Sequence, residues 1–417
     1  MGEQILMIGC GYREFREYAL MGVASTYDIA MVTREEPSWQ RPWITDHRVA
    51  DLDDPSAVEA AARDMNRTRP LSGAVTWEEK LLETTAEVGA ALGLPGLPVA
   101  TARVARDKAL QRATFAAKDV PSARFEVVTR LTEAEVFVET VGYPVVVKPR
   151  KQAGSVGVQV VHDIDQLAAA LEFPPDHGDP ASAKGVVVEE FLAGQEISVD
   201  CWCVNGEVEP YVIALKEIDH PPYCVEVGHV VGDVLPPSLR REVVDVVTRA
   251  HRAMGMTNAL THTEVMLTES GPRIVEVNAR LGGDLIPWLA ESYRPGLNIG
   301  TMLARVTLGK RPDDLPTSVG PVGIRFLHPS EDLTLDHIEV PESVADADWL
   351  VRWKPVRAKG ETLRLPPRAF LDRAGYAVVR GDTPEEVRQR MSLAAERIRV
   401  LGTPAGEPAE AGLGRPG

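Results

Sequence analysis

Over the first hundred residues, short apolar runs alternate with stretches whose apolar positions recur every three or four residues. QILMIGC (4–10) and YDIAMVT (27–33) read as strands, the first entering a glycine turn. SAVEAAARDMNRTRP (56–70) has helical spacing. LSGAVTW (71–77) followed by EEKLLETTAEVGAALGL (78–94) reads as a strand and then a helix. This alternation predicts a parallel βαβ unit. The Pro/Gly-rich connector in GLPGLPVATARVARDK (93–108) places a domain boundary near residue 100.

Beyond it the pattern changes. RDKALQRATFAAKDV (106–120) is helical, and two β-branched units follow, at 142–161 and 185–204. SLRREVVDVVTRAHRAMG (238–255) is a second amphipathic helix, and ALTHTEVMLTESGPRIVEVNAR (259–280) is a hairpin with Glu, Ser, Gly and Pro in its turn. From about residue 315 a third region holds VGIRFLHP (322–329) and GYAVVRGDTPEEVRQRMSLAAERIRVL (375–401), a strand and a long helix. The tail 402–417 lacks apolar periodicity and is expected to be disordered. No internal repeat is visible.

Composition narrows the function. The chain has 417 residues, too many for one ordinary core, with 44% apolar and 25% charged positions. A formal charge of −16 argues against nucleic acid or an anionic membrane as partner. Four cysteines are too few for a disulfide framework, and Cys201 and Cys203 on one strand face read as buried free thiols. No signal peptide, lipidation pattern or ~20-residue apolar span is evident, so a cytoplasmic protein is expected.

Three segments carry candidate chemistry. A turn centred near Ser270 sets Glu264 across from Glu276, on the same side as Asn278. Two carboxylates ~4 Å apart repel by ~4 kcal/mol at an effective dielectric near 20, a cost that a divalent cation removes. The other reading is a solvated sheet face. In VVVKPRKQAGSVGVQVV (145–161), Lys148 precedes a loop containing Gly154, Ser155 and Gly157, whose NH groups can wrap phosphate oxygens. It is either that or a Gly-containing hairpin with a solvated lysine. In GVVVEEFLAGQEISVD (185–200), Glu189 and Glu190 can take an exocyclic amine or ribose hydroxyls, while Phe191 and Leu192 cover a purine. The early GCGYRE lacks the third glycine of a dinucleotide fingerprint, which weakens a nicotinamide oxidoreductase reading.

In order, these segments resemble the ATP-grasp carboxylate–amine ligases over most of residues 100–310. The third region, with TEVMLTESGPRIVEVNARLGGD (263–284), is most similar to the ADP-forming L-amino acid ligases. The resemblance implies an α/β (α+β) protein with an ATP-grasp fold. A pre-ATP-grasp βαβ domain would span 1–100 and the ATP-grasp domain 101–315, with a lid at about 120–190 and a metal hairpin at 260–284. A C-terminal α+β subdomain would span 316–401. Lys108 and Lys148 would contact ATP phosphates, Glu189–Leu192 the base, and Glu196 the ribose. Glu264, Glu276 and Asn278 would hold one or two Mg2+ ions, or Mn2+. Arg280 would stabilise the transferring phosphoryl group and the oxyanion, and Gly282 and Gly283 would admit the acyl centre.

Further candidates for substrate contact are His262, Glu226, His229 and Arg325, each with a structural alternative; Lys216 is expected to be solvated. The implied reaction is amide formation between an amino acid and an amine or second amino acid, through an acyl phosphate, with release of ADP and phosphate. Antibiotic or other natural-product biosynthesis would be its setting. Small-molecule carboxylates and amines are the expected partners, with a homodimer as the assembly left open. The rivals are a biotin carboxylase-like or purine-pathway ATP-grasp enzyme, and a nucleotide-binding regulatory or scaffolding protein on the same fold.

Overall fold

A computed structural model describes residues 2–172 and 185–406. The three apolar runs of the N-terminal region form a parallel sheet, with Gln4–Ile8 flanked by Asp28–Thr33 and Gly73–Val75, and a polar strand that the pattern did not show, Asp46–Val49, adds one edge. The helices Arg13–Ala24, Pro55–Thr68 and Leu82–Leu92 connect the strands. The expected βαβ alternation is therefore present. The glycine turn after the first strand is filled from within, because Glu78 Oε1 accepts from the backbone NH groups of Cys10 and Gly11 at 2.7 and 2.8 Å.

A small antiparallel sheet carries Val145–Lys148 between Val186–Glu190 and Gln159–Val161, with Phe125–Val128 at the far edge. Helices Leu131–Val141 and Ile164–Glu172 cover it, burying Ala134, Val138, Leu167 and Ala170 against Val145, Val147 and Val188. The largest sheet has eight strands. Its order runs Gly271–Asn278, Ala259–Thr268, Gln195–Val204, Glu207–Asp219, Val225–Val231, Val322–Leu327, Gly375–Arg380, Leu350–Pro355, all antiparallel. Its pairing crosses residue 315, so strands of the third region continue the sheet that carries the hairpin.

Helix Pro237–Met254 covers one face of this sheet. Its buried Val243, Val246, Val247, Ala250 and Met254 follow the 3.6-residue repeat and meet Cys201, Cys203, Val265 and Ile274. Each such side chain contributes about 1.5–3 kcal/mol by leaving water. The N-terminal sheet joins the large sheet through one shared core that includes Ile5, Met31, Trp202, Leu289 and Phe326. Within it, helices Arg13–Ala24 and Ile299–Thr307 meet at a glycine contact. A Cβ on Gly300 would lie 2.2 Å from the carbonyl oxygen of Ala19, and one on Gly22 would lie 2.9 Å from the Cα of Gly300.

The disorder expected of residues 402–417 does not hold for the described part, 402–406. Gly402, Thr403 and Pro404 belong to strand Arg399–Pro404, which pairs with Leu333–Glu339 in a three-stranded sheet. Backbone pairing there needs no apolar periodicity, which is why the pattern hid it. Residues 407–417 lie outside the described residues. No helix among the described residues is long and apolar enough to cross a membrane.

Candidate active site

The hairpin has the expected register. Glu264 pairs with Glu276 and His262 with Asn278, and a bulge follows Glu264. Val265, Ile274 and Val277 turn to the core beneath. This leaves two carboxylates and an amide on the opposite side. The neighbouring strands add Glu196, Lys216 and Glu226 around the same cavity.

Each carboxylate is met by a cation from another element. Lys108 Nζ lies 3.0 Å from Glu276 Oε1 and donates to the carbonyl of Gln152 at 2.6 Å. Its placement starts one residue earlier: Asp107 caps helix Lys108–Ala117 by accepting from the NH groups of Ala109 and Leu110, and it also holds Arg150. Lys216 Nζ lies 2.7 Å from Glu196 and from Glu226 and 2.8 Å from Glu264. Its side chain is 1% exposed, so the solvated lysine expected from sequence is instead the centre of a buried carboxylate triad. Burial works against both charges of the Lys216–Glu264 pair. The surrounding carboxylates nevertheless hold Lys216 well above the ordinary lysine range, and Lys216 and His262 hold Glu264 well below the carboxylate range.

Asn278 is 3% exposed, and its Oδ1 is buried with no hydrogen-bond partner. An orphaned amide oxygen beside two carboxylates is the donor set a hard divalent cation takes. The residues expected to hold magnesium therefore fit it.

Arg280 enters from the end of the hairpin. Its Nη2 and Nε reach Glu79 Oε2 at 2.8 and 3.3 Å, and Nη1 donates to the carbonyl of Leu281 at 3.0 Å. Glu79 also binds Arg106 at 2.7 Å. Burial opposes the charged form of Glu79, but Arg280, Lys108 and Arg106 keep it below the usual carboxylate range. Glu79 belongs to the N-terminal region, 201 residues from Arg280. Only the doubled acid in TWEEK, directly after a strand, hinted at it.

On the small sheet, Lys148 lies 2.7 Å from Glu189, which also binds Arg112. Burial, reinforced by Arg112, holds Lys148 below the ordinary lysine range despite Glu189. This corrects one expectation. The carboxylate of Glu189 is engaged with Arg112 and Lys148, and that of Glu190 with Arg124 and Arg273. Neither acid has a free carboxylate for an adenine amine; what the 189–192 segment offers a base is backbone and the side chains of Phe191 and Leu192. One cavity contains Lys108, Lys148, Gly154, Ser155, residues 189–192, Glu196, Glu264, Glu276, Asn278 and Arg280 together. Gly154 and Ser155 sit at φ +67° and +58°. Gly157, at φ +75°, shapes the loop without lining that cavity.

A smaller adjoining cavity is lined by Glu226, His262, Arg280, Gly283, Asp284 and Arg373, among others. His262 Nδ1 lies 2.6 Å from Asp200, a fully buried acid. Burial alone would lower His262, but Asp200 and Glu264 push it up to about 10. His229 is buried with Nε2 3.1 Å from Asp284, and Glu226 lies 3.4 Å away. Arg373 binds Asp284 at 2.6 and 2.9 Å. Asp284 and Leu285 both sit at positive φ, +54° and +61°. Such backbone costs about 1–3 kcal/mol per residue and persists only where its surroundings hold it.

Three expected substrate contacts do not line this cavity: His229, which is fully buried and held by Asp284 and Glu226, Arg325 and Gly282. Arg325 pairs with Glu217 at 3.2 Å, and Glu217 also meets Arg388 of helix Pro384–Arg397. The structural ion pair is the reading that holds, since alternation puts Arg325 on the sheet face opposite His229 and Ile324. Gly282 faces inward: a Cβ there would lie 2.4 Å from Asp200 Oδ2 and 3.1 Å from His262 Nδ1. Gly283 has nothing within 4 Å of such a position and does line the cavity. Asp284, Arg373, Asp200 and Glu79 had escaped sequence reasoning.

The family model for the ATP-grasp domain matches residues 141–287, and that for the L-amino acid ligase C-terminal domain 2 matches residues 325–401. Alanine–anticapsin ligase of Bacillus subtilis is 24% identical over 405 residues, covering 85% of this chain and 84% of the relative. The crystal structure of an L-amino acid ligase from Bacillus licheniformis superposes with TM-score 0.81 at 21% identity, over 97% of this chain and 100% of that one. The biotin carboxylase domain of a Hydrogenobacter thermophilus 2-oxoglutarate carboxylase, solved with MgADP and bicarbonate, has TM-score 0.71 at 16% identity over 97% and 91%. With both matched domains in place, the chain belongs to the ATP-grasp ligases, as an ADP-forming carbon–nitrogen ligase similar to the L-amino acid ligases.

Proposed function

We propose that this enzyme activates the carboxylate of an amino acid with ATP as an acyl phosphate. It then joins that acyl group to the amine of a second amino acid or small amine, releasing ADP and phosphate. The observation that carries the reading is Asn278 Oδ1, buried and unpartnered beside Glu264 and Glu276, with Arg280 two residues beyond.

ATP lies in the larger cavity, its base against Phe191 and Leu192 and its ribose toward Glu196. Lys108 and Lys148 exchange their present carboxylate partners for phosphate oxygens. Glu264, Glu276 and Asn278 hold magnesium, which when bound offsets phosphate charge during phosphoryl transfer. Arg280, oriented by Glu79, meets the transferring phosphoryl group and the oxyanion that forms when the amine attacks. The amino acid lies in the adjoining cavity, where Glu226 and Asp284 suit its ammonium group and Gly283 leaves room for the acyl centre. The 152–158 loop closes over the nucleotide and keeps water from the acyl phosphate. Similarity to alanine–anticapsin ligase supports a dipeptide of natural-product type as the output.

The test is ATP turnover with pairs of amino acids and small amines, followed by product mass. ADP and phosphate are expected, with 18O from a labelled substrate carboxylate appearing in the phosphate. AMP and pyrophosphate as products, or unlabelled phosphate, would remove the acyl-phosphate route.

A further inference from the structure

A third cavity, of about 210 Å3, lies behind Arg280, between helix Leu82–Leu92, the 94–98 connector and the start of strand Ala259–Thr268. It shares only Arg280 with the two cavities already described. The Glu79–Arg280 ion pair marks the border with the larger one. Its walls are mostly apolar, with Leu82, Ala86, Leu97, Leu260 and Leu303 among them, and among the described residues Arg280 is the only charged one lining it.

One further observation points to a ligand. Gly89 lies within helix Leu82–Leu92, and nothing stands within 4 Å of where its Cβ would be. Mid-helix glycine is unfavourable for the backbone, so here the lost side chain keeps volume open rather than relieving a clash. For scale, an engineered apolar cavity of about 150 Å3 in another protein admits benzene.

We propose that this cavity is an effector site for a neutral, largely aliphatic molecule of about six to eight heavy atoms, and that its occupancy lowers turnover through Arg280. Neutrality follows from the mostly apolar wall, where a charged occupant would lose its hydration. Inhibition follows from the contacts of Arg280 with Glu79 and the Leu281 carbonyl. Arg280 has to shift from Glu79 toward a phosphoryl group, and an occupant takes the unfilled space that lets its stem adjust. This second half rests on the catalytic reading of Arg280; the binding half does not.

The probe is 3-methyl-1-butanol, observed by saturation-transfer NMR on the full chain without nucleotide. Saturable binding is expected, lost in Gly89→Leu and weakened in Gly89→Ala. In ATP-turnover assays the probe should lower kcat at least about five-fold, the low end of ordinary coupling, with KM for ATP unchanged. Gly89→Leu should abolish that sensitivity. No saturable signal, or one that survives in both Gly89 variants, overturns the site. Binding without any change in kcat overturns the link to Arg280, and a chain that binds the probe but turns over no ATP refutes the ligase reading alone.

Discussion

Lys108 and Glu276, separated by 168 residues in sequence, close a 3.0 Å ion pair at the base of the nucleotide cavity. The pair has a partner in Lys216 and Glu264, at 2.8 Å. Both proposed metal carboxylates are thus oriented by lysines. Burial opposes the charge of Lys108, but Glu276 and Glu79 raise it above the usual lysine range. Glu276→Gln keeps the shape and removes one negative charge. Turnover should fall by at least about 100-fold, the scale of losing an electrostatic contact at the reacting centre, and magnesium dependence should shift to higher concentration. Undiminished activity at low magnesium would show that Glu276 is not a ligand.

Arg280 and Glu79 separate binding from chemistry. Arg280→Ala should lower kcat about 10²–10³-fold, while ATP affinity by calorimetry stays within a few-fold. Glu79→Gln leaves Arg280 and Arg106 sharing a neutral amide in a buried place. Breaking such a buried pair costs about 3–5 kcal/mol of stability, readable as a lower denaturant midpoint. Loss of ATP affinity with unchanged kcat in Arg280→Ala would contradict its role at the phosphoryl group.

The two adjacent glycines are expected to behave oppositely. Gly282→Ala drives a methyl group to 2.4 Å from Asp200 Oδ2 and should destabilise by about 1–3 kcal/mol, the usual cost of overpacking. Because Asp200 orients His262, turnover should drop with it. Gly283→Ala meets no atom within 4 Å, so stability should be preserved. Urea melts and steady-state rates on both variants decide this.

His251 gives the fold an acid limit. On helix Pro237–Met254, its Nδ1 donates to the Val247 carbonyl at 2.7 Å and its Nε2 accepts from the Thr261 hydroxyl at 2.8 Å. Burial lowers it to about 4, with the Val247 contact opposing. The unfolded chain, with histidine near 6.5, takes up that proton first. Stability from this group is therefore complete above pH 6.5 and falls as pH drops toward 4, by about 3 kcal/mol in all. His328, lowered by burial to about 3, acts in the same direction. Denaturation at pH 7 and pH 5 should show the loss, and His251→Asn should flatten it. An identical pH profile in the variant would exclude His251 as the source.

Sequence alone carried local pairing well and distant encounters poorly. The Glu264–Glu276 register was legible because a turn centred near Ser270 and alternation of side chains leave one arrangement that buries Val265 and Val277. Lys108 and Lys148 were legible from their order relative to the hairpin. Glu79, Asp200 and Arg373 were not, since each meets its partner across 62–201 residues. Lys216 misled for a related reason. A lone lysine reads as solvated, and only the sheet reveals three carboxylates around it. Arg325 was legible only as a choice between a substrate carboxylate and an ion pair, and Glu217 supplies the ion pair.

The first hundred residues reach the reacting centre twice: Arg16 donates to the Gly282 carbonyl at 2.9 Å, and Glu79 holds Arg280. A chimaera that borrows this N-terminal portion from a relative would therefore import two foreign contacts to the diglycine and the arginine beside it. Recombination within this enzyme group is constrained accordingly. A crossover near residue 100 has to carry compatible partners on both sides, or the hybrid assembles a sound fold around a misaligned guanidinium.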